Sequence, residues 1–415
     1  MTREHALAAP VREDPATPAT LTVDTLTSFE AVESIEAEWS SLVDELGQSL
    51  YATSEWCRIW WRHYGRGRDL RLFAIRADGE LVGVLPFFIE RLWSPVGRAS
   101  VAKPVGSDST VALVEPAVRP ELAADAFALA VRRLVVGDRV DMVHIGPFSS
   151  ASPHVSALRR ATTTVADVTE VIRDREHGCH SIFEMPDGFE SYLRGLSKNQ
   201  RHTYKRNLNK LNKTFRFEVD VVSDPDGAER EFDAFADMHQ EQWRAVGKLG
   251  HFGDWPGSRE FSRDLVRTLA PADRVRILRL SADGTSVAYH WCLKVNGTCH
   301  SRLVGRLIGD EWDEFALGRV NQLKMMELTG ADGTTVVEAG TGRYDYKDRL
   351  KATTLPLHSV ALSRHGRAAR FRARLTLACG DLLDLFYYRG WYLRVAPRVP
   401  LLRRPLWRGW IRRRF

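Results

Sequence analysis

Apolar residues follow a helical spacing in some parts of the chain and a strand-like spacing in others. Directly after Gly318, one buried helical stripe is formed by Val320, Leu323, Met325, Met326 and Leu328. Residues 334–339 instead form a short β-branched run that is typical of a buried strand, and a glycine turn at 330–333 separates the two. A helix followed by a buried strand predicts an α/β sheet with its site at a strand end.

Two segments alternate like paired strands around an Asp-Gly sequence. Asp78-Gly79 divides residues 70–90, and Asp283-Gly284 divides residues 274–295. Because Asp-Gly accepts the positive φ angles of a tight turn, both segments are predicted hairpins, and their similar design supports a duplicated fold. Helices are also predicted near 28–46, 54–64, 120–136, 228–246 and 258–269, and strands near 140–145, 215–222 and 298–304.

A chain of 415 residues is too long to fold around one ordinary hydrophobic core, which suggests two or three domains. We predict a flexible tail at 1–20, an N-terminal half at 21–184, a C-terminal half at 185–362 and an extension at 363–415. A composition of 44% hydrophobic and 27% charged residues is typical of a folded protein, neither disordered nor fibrous. No apolar run is long enough for a spanning helix, and the first twenty residues lack the apolar region of a signal peptide. We therefore expect a cytoplasmic protein.

The cysteines indicate neither a disulfide framework nor a metal site. There are five, and they stand apart without CxxC spacing at Cys57, Cys179, Cys292, Cys299 and Cys379. An odd number of scattered cysteines argues against structural disulfides and zinc, so we expect free thiols and no metal.

The helix predicted to open near Gly318 offers the clearest candidate chemistry. Its first backbone N–H groups have no partner within the helix, and the positive end of the helix dipole lies beside them. Such an opening binds anions, although a helix end that contacts only water is the structural alternative. The strand that follows ends at Glu338, and a glycine loop leads from there to Tyr346-Lys347.

In order and spacing, residues 316–347 resemble the C-terminal motif of an acetyltransferase-like family first associated with bacterial cellulose-synthesis accessory proteins. That family is a branch of the GNAT (GCN5-related N-acetyltransferase) superfamily. Its motif has a Ser-Pro-Gly turn, an Asp-Phe pair ending a strand, a glycine four residues after the Asp, and a closing Tyr-Lys. The matching positions are Ala316-Leu317-Gly318, Glu338-Ala339, Gly342 and Tyr346-Lys347. The chain lacks the Ser and Pro, which removes a helix cap and a fixed φ, and Glu replaces Asp.

The resemblance extends over about residues 20–360. Residues 50–90, with Trp56 and Trp60-Trp61 in a helix before the first hairpin, resemble the N-terminal half of the family, and the basic stretch 189–214 resembles its helix between the halves. The resemblance implies an α/β fold with a mixed sheet, built from two tandem GNAT-like halves.

The resemblance also implies an acyltransferase. Its donor would be acetyl-CoA or another acyl-CoA, and its acceptor an amine or hydroxyl on a sugar, envelope precursor or secondary metabolite. The donor's pyrophosphate would lie at the helix opening, with Arg319 as a salt partner; the cradle comprises Ala316, Leu317, Gly318, Arg319 and Val320.

The implied catalytic residues are Glu338, Tyr346 and Lys347. Glu338 would accept the acceptor's proton, and the hydroxyl of Tyr346 or Tyr344 would protonate the leaving thiolate. A structural salt bridge from Glu338 to Lys347 or Arg343, and aromatic packing of the tyrosines, are the alternatives.

Three histidines on predicted strands and helices are further candidates for a role in the site, such as that of the base. His290 and His300 lie on neighbouring predicted strands, and His239 lies on a helix where it could line the acceptor cleft with Gln242 and Trp243. Core packing or a polar helix face is the favoured interpretation of each.

Two basic regions of the sequence could bind anionic partners. The helix at 189–214 gathers Lys198, Arg201, Lys205 and Arg206 on one side, which fits an anionic acceptor, the 3′-phosphate of coenzyme A, or a solvated face. Residues 389–415 contain nine arginines and no acid, with tryptophans interleaved. This composition fits an anionic membrane surface at the inner face, with nucleic acid or packing against the protein itself as alternatives.

Two other functions remain open on the sequence alone. An aminoacyl-tRNA-dependent transferase of the peptidoglycan-bridge type shares the duplicated fold and would use basic surfaces, although tRNA is the less favoured partner. A non-catalytic accessory protein of polysaccharide synthesis would bind a nucleotide-bearing ligand without turnover.

Overall fold

A computed structural model describes residues 20–94, 97–108, 113–399 and 402–415. The predicted tail, except Thr20, lies outside the described residues. One mixed sheet of thirteen strands runs through both predicted halves. The strands are β1 (Leu21–Leu26), β2 (Asp69–Ala77), β3 (Glu80–Ser94), β4 (Gly97–Pro104), β5 (Ala117–Val118), β6 (Met142–Ser149), β7 (Thr169–Glu184), β8 (Phe217–Val222), β9 (Val275–Ala282), β10 (Thr285–Val295), β11 (Thr298–Arg306), β12 (Val336–Thr341) and β13 (Thr353–Arg364).

Helices cover both faces of the sheet. They are α1 (Phe29–Val32), α2 (Glu36–Glu45), α3 (Ser54–Tyr64), α4 (Ala123–Arg132), α5 (Pro153–Thr164), α6 (Gly188–Gly195), α7 (Lys198–Thr214), α8 (Pro225–Ala245), α9 (Gly250–Asp254), α10 (Ser258–Leu269), α11 (Asp310–Asp313), α12 (Leu317–Ala331), α13 (Asp345–Arg349), α14 (Arg367–Leu382) and α15 (Arg408–Ile411). A π-helical stretch, Leu383–Val395, continues α14. This arrangement is the α/β fold with a mixed sheet that the sequence predicts.

Each half repeats one arrangement of strands. β2 and β3 form the first predicted hairpin and β9 and β10 the second, and the Asp and Gly of both turns have positive φ. A third antiparallel strand follows in each half, and a helix then leads to a strand parallel to it. These parallel pairs are β4 with β6 and β11 with β12. Each pair is joined over only two or three residues before its strands separate.

The two halves exchange strands at the centre of the sheet. The strand order is β1-β2-β3-β4-β6-β13-β7-β12-β11-β10-β9-β8, with β5 beside β3. β7, which ends the N-terminal half in sequence, pairs with β12, and β13, which ends the C-terminal half, pairs with β6. The predicted boundaries at 184 and 362 fall at these exchanged strands and remain predictions.

One hydrophobic core crosses from half to half. On one face of the sheet, side chains of α3 pack with side chains of α8 and α10 in a single buried cluster. Trp56 and Phe261 meet edge to face with ring centroids 6.5 Å apart, and His63 Nε2 lies 2.9 Å from Asp264 Oδ2. The opposite face carries a separate buried cluster in each half.

The end of the C-terminal extension folds back onto the N-terminal half. Arg412 Nε donates to Glu90 Oε2 over 2.8 Å, and Lys103 Nζ donates to the Arg412 carbonyl over 2.8 Å. The ring of Phe415 lies 5.2 Å from Lys103 Nζ. The interpretation that the extension packs against its own protein therefore holds for its last residues. Across the described chain, no helix has the length and apolar character needed to cross a membrane.

Candidate functional site

A large cleft opens where β11 and β12 separate. These strands pair only from Thr298 to His300 and from Val336 to Glu338, and their later residues line the two sides of the gap. The cleft has a volume of about 860 Å³, and its walls include the start of α12, the loop after β12, and α13. Pockets of several hundred Å³ are the usual size for cofactor-sized ligands.

The predicted donor cradle lies on this cleft. Ala316, Leu317, Gly318 and Arg319 all line it. The helix begins at Leu317, one residue before the predicted start, and Ala316 precedes it with a left-handed φ of 49°. Val320 does not reach the cleft, because its side chain is fully buried in the core and its N–H bonds to the Ala316 carbonyl over 3.2 Å.

Two backbone donors remain at the helix opening. The Arg319 N–H also bonds to the Ala316 carbonyl, over 2.9 Å, whereas the N–H groups of Leu317 and Gly318 have no protein acceptor in the described parts of the chain. A Cβ on Gly318 would approach only the Arg306 side chain, at 3.8 Å. The fold itself therefore does not require glycine here, and the space in front of its backbone is open to a ligand.

Three arginines concentrate positive charge beside this opening. Burial lowers the pKa of Arg319, and the charges of Arg349 and Arg206 lower it further. None of the three has a carboxylate within 4.0 Å among the residues that the structure covers. Arg206 belongs to the basic helix α7, and Arg349 lines the cleft beside Arg319. Repulsion between unpaired guanidinium groups is relieved by an anion, so this end of the cleft suits phosphate groups.

Glu338 lies in the same cleft and accepts three hydrogen bonds. Its Oε2 accepts from Tyr51 Oη at 3.0 Å and from His300 Nδ1 at 3.3 Å, and its Oε1 accepts from the Gly340 N–H at 3.0 Å. Burial raises the pKa of Glu338, but the hydrogen bond from His300 and the charge of Arg302 outweigh burial and hold it at about 2. The carboxylate is therefore ionised at neutral pH, with one lone pair of Oε1 left for a ligand.

His300 is oriented as a donor toward Glu338. Its Nδ1 faces the Glu338 carboxylate at 3.3 Å, and its Nε2 lies 3.4 Å from the Leu50 nitrogen. His300 and Glu338 are direct partners in the parallel register of β11 and β12. His290 is different: it is buried, bonds to Ser301 Oγ at 2.7 Å, and lies outside the cleft lining.

Tyr51 is a site residue that the sequence did not reveal. It comes from the N-terminal half, in a short 3₁₀ turn, Leu50–Ala52, and it is buried. Its hydroxyl accepts from Arg302 at 3.2 Å and donates to Glu338, and burial followed by the charge of Glu338 raises its pKa. The only available signal was its place in the stretch that resembles the family's N-terminal half.

The other two predicted catalytic residues have different surroundings. Tyr346 lines the cleft half-exposed, and its ring stacks on Tyr344 with centroids 6.2 Å apart. Lys347 also borders the cleft, but its Nζ is turned into the glycine loop. There it donates to the carbonyls of Gly340 and Gly342 at 3.0 Å and of Thr341 at 3.3 Å. The structure thus brings Glu338 and Tyr346 to one cleft, and Lys347 shapes the loop between them.

Part of the chain matches a known protein family. Residues 198–348 match the family described as acetyltransferase (GNAT) domain. This region has a GNAT-type acyltransferase fold. No curated protein matches the chain.

Solved structures extend the similarity to both halves. The crystal structure of FemX matches with a TM-score of 0.58 and 10% identity, over 79% of this chain and 95% of FemX. L-PGS from Bacillus licheniformis matches with a TM-score of 0.47 and 13% identity, over 82% of this chain and 95% of that one. A tandem GNAT protein from the clavulanic acid pathway matches with a TM-score of 0.41 and 13% identity, over 84% and 99%. The repeated strand arrangement, the family match to the C-terminal half and the FemX match together confirm the predicted fold of two GNAT-like halves.

Aromatic side chains form part of the cleft wall. His239, Gln242 and Trp243 of α8 line it, as do Trp255 and Trp291. His239 is buried, and burial lowers its pKa. Its Nδ1 bonds to the Val304 carbonyl at 2.6 Å, so it is held in the wall. His239, Gln242 and Trp243 therefore line a cleft, which was the less favoured interpretation of this helix from the sequence.

The equivalent gap in the N-terminal half is filled. β4 and β6 separate after Ala102 and Val143, and the cavity beyond them measures only about 10 Å³. Apolar side chains of that half, including Phe127 and Phe148, close it. On the next residues of the same strands, Lys103 and His144 both contact the Phe415 ring. Among the residues that the structure describes, a cofactor-sized cavity therefore lies at the C-terminal gap, and the cavity at its N-terminal counterpart is far smaller.

Proposed function

We propose that the protein transfers an acyl group from acyl-CoA, with acetyl-CoA as the first candidate, to an amine or hydroxyl. The observation that carries this proposal is the single cleft in which the α12 opening and the Glu338 cluster meet. A thioester donor needs an anion site for its pyrophosphate, and the acceptor needs a polar group close to the reacting carbonyl. The cleft offers both, and its volume suits a nucleotide-bearing ligand.

The donor would bind by its phosphates at the start of α12. The N–H groups of Leu317 and Gly318 point out of the helix end, and Arg319 and Arg349 add charge beside them. Backbone donors, the helix dipole and guanidinium groups act together on a pyrophosphate. Arg206 on α7 adds positive charge near Arg319 and would attract a further phosphate of the same ligand.

In the reaction, the acceptor nitrogen or oxygen attacks the thioester carbonyl. The acceptor atom bonds to the carbonyl carbon and loses its proton to solvent, the carbon–sulfur bond breaks, and the leaving thiolate takes a proton. A carboxyl with a pKa of about 2 is a weak base at neutral pH, so Glu338 mainly holds the acceptor through the free lone pair of Oε1. Tyr346 is the proposed proton donor to the thiolate, because its hydroxyl has no protein partner in the described residues. Lys347 would hold the glycine loop that lies between Glu338 and Tyr346.

Acetyl-CoA binding tests the donor site directly. Gly318→Ala places a methyl group in front of the free N–H groups, and we expect it to weaken acetyl-CoA binding roughly tenfold or more, the loss of one charge-assisted hydrogen bond. Gly330→Ala is the matched control, because it lies at the far end of the same helix, where a Cβ meets Phe189 at an ordinary 3.5 Å. Isothermal titration calorimetry measures both. If the wild-type protein binds no acyl-CoA, or if both variants bind equally well, the donor proposal is wrong.

The acceptor class remains part of the proposal. The resemblance to the cellulose-synthesis accessory branch favours a sugar, an envelope precursor or a secondary metabolite. Since acyl-CoA is a cytoplasmic metabolite, a cytoplasmic protein is the consistent expectation. Release of free coenzyme A in the presence of amine and sugar panels measures turnover.

The basic helix keeps an aminoacyl-tRNA donor as the second candidate. α7 carries exposed lysines and arginines, and its Gln200 lines the cleft. Salt-sensitive binding of charged tRNA, without binding of acetyl-CoA, would favour this donor. Binding of acetyl-CoA without turnover, unchanged by Glu338→Gln or Tyr346→Phe, would favour a non-catalytic accessory protein.

A further inference from the structure

The C-terminal extension concentrates exposed apolar side chains. Of the eighteen large apolar side chains that are exposed in the described chain, ten lie between residues 371 and 407. That stretch is less than a tenth of the protein, so its density of exposed apolar surface is far above the average. Monomeric soluble proteins rarely expose such a concentration without a partner.

Several of these exposed side chains lie close together. Leu382, Leu385 and Phe386 fall within about one helical turn, and their exposed fractions are 54%, 55% and 68%. The chain then returns, and Trp407, which is 53% exposed, donates its backbone N–H to Tyr387 Oη at 2.7 Å. The outgoing and returning parts of the segment therefore present one continuous patch.

Unpaired arginines surround this patch. Arg394, Arg398, Arg404 and Arg408 are exposed, and none has a carboxylate within 4.0 Å among the residues described. Arg389 is the exception, since its Nε lies 2.7 Å from Asp384 Oδ2. Residues 385–415 contain no acid, so Asp384 is the one carboxylate of this segment that offsets its arginines among the residues described.

We propose that residues 382–399 and 402–408 form a docking surface for the headgroup region of an anionic lipid bilayer. Arginine at such a surface meets lipid phosphates, while leucine, phenylalanine and tryptophan enter the boundary with the acyl chains. The exposed apolar side chains between 382 and 402 are mostly leucine and valine. Aliphatic side chains cannot stack on bases, so this surface fits lipid better than nucleic acid.

The opposite side of the docking surface is fixed to the protein beside the cleft. Tyr388 stacks on Trp410 with ring centroids 4.4 Å apart, and Trp410 lies 6.1 Å from Trp255, which lines the cleft. Arg414 also lines the cleft and packs over both tryptophans. Binding to a bilayer would therefore bring the mouth of the cleft near the membrane surface.

Point substitutions test the surface better than a truncation. Removing 389–415 would also remove Arg414 from the cleft wall and Arg412 from its bond to Glu90. The apolar variant is Leu385→Ser with Phe386→Ser, and the charge variant is Arg394→Gln with Arg398→Gln. All four side chains are exposed, so the fold should not change. Matched controls elsewhere are Val136→Ser, at a side chain 61% exposed, and Arg160→Gln, which is also exposed.

The assay is co-sedimentation with phosphatidylcholine vesicles that contain a quarter phosphatidylglycerol, with pure phosphatidylcholine for comparison. We expect binding only to the anionic vesicles, at low salt. The charge variant should bind about fivefold more weakly per arginine, and the apolar variant at least about tenfold more weakly. The controls should bind as the wild-type protein does. Acetyl-CoA binding should be the same for every variant, which separates this proposal from the donor proposal.

Three results would overturn the proposal. One is the absence of binding to anionic vesicles at low salt. Another is equal vesicle binding by the wild-type protein and the apolar variant. The third is salt-sensitive binding to random single-stranded RNA that displaces the vesicles, which would assign the surface to nucleic acid.

Discussion

The ionised state of Glu338 can be tested by removing its charge. Glu338→Gln keeps the size of the side chain, but an amide cannot accept all three hydrogen bonds that Tyr51, His300 and Gly340 donate to the carboxylate. In either orientation of the amide, its NH₂ group faces at least one donor. The variant should therefore be less stable than the wild-type protein at neutral pH.

The magnitude follows from the pKa of Glu338. Folding lowers that pKa from 4.5 to about 2. Each tenfold change in proton affinity is about 1.4 kcal/mol, so the ionised carboxylate stabilises the folded state by about 3 kcal/mol. Because the folded pKa is depressed, this stabilisation is complete above about pH 4.5 and is lost as the pH falls toward 2. Glutamine carries no such dependence.

Urea unfolding at a series of pH values measures the effect. We expect the difference in unfolding free energy between the wild-type protein and Glu338→Gln to be about 3 kcal/mol at pH 7 and to shrink below pH 4.5. Other carboxyl groups titrate in both proteins, so they cancel in the difference. A difference that stays constant from pH 7 to pH 3 would refute the claim that His300 and Arg302 hold this carboxylate ionised.

Three further substitutions test single features of the site. Ala316→Gly should raise the free energy of unfolding by about 1 kcal/mol, because alanine holds a left-handed φ of 49° there; an unchanged urea midpoint would contradict this. Tyr51→Phe should lower the free energy of unfolding by about 1.5–3 kcal/mol and reduce turnover more than it raises KM, since Glu338 loses a donor while the ring packing stays. Lys347→Met should destabilise the protein by at least about 2 kcal/mol and make the loop after β12 easier to cleave by proteases, because three carbonyls lose their donor; wild-type resistance would contradict it.

The elements with strong local patterns were predictable from the sequence. Both Asp-Gly hairpins, the α3 helix and the strand ending near Glu338 form close to their predicted positions. Their apolar spacing and turn residues act within a few positions, so they can be identified without a partner.

The two exchanged strands gave no comparable signal. β7 contains many charged residues, because much of it is exposed, and β13 contains Pro356, which cannot donate to a strand ladder. Both occupy the centre of the sheet only because each finds its neighbours in the other half. Local propensity carries no information on such pairing.

The candidate site also has a part that could be predicted from the sequence and a part that could not. The chain near Gly318 and Glu338 was identified because its chemistry and spacing lie within one segment. Tyr51 is separated from Glu338 by 287 positions, and only the folded contact between the halves joins them. The favoured interpretation of α8, a polar helix face, was wrong for a similar reason. His239, Gln242 and Trp243 form part of a cleft wall whose other residues come from distant segments.

The strand exchange makes the site depend on both halves. A fragment of residues 185–415 would lack β7, so β12 and β13 would lose a neighbour, and Glu338 would lose the Tyr51 hydroxyl. Exposed strand edges pair with other chains, so we expect this fragment to aggregate. Co-expression with residues 20–184 should restore a soluble complex that binds acetyl-CoA, because β7 then reaches both partners. A monomeric fragment 185–415 that binds acetyl-CoA alone would contradict this. If the fragment does need its partner, the role of the N-terminal half is to complete the sheet through β7 and to donate the Tyr51 hydrogen bond to Glu338.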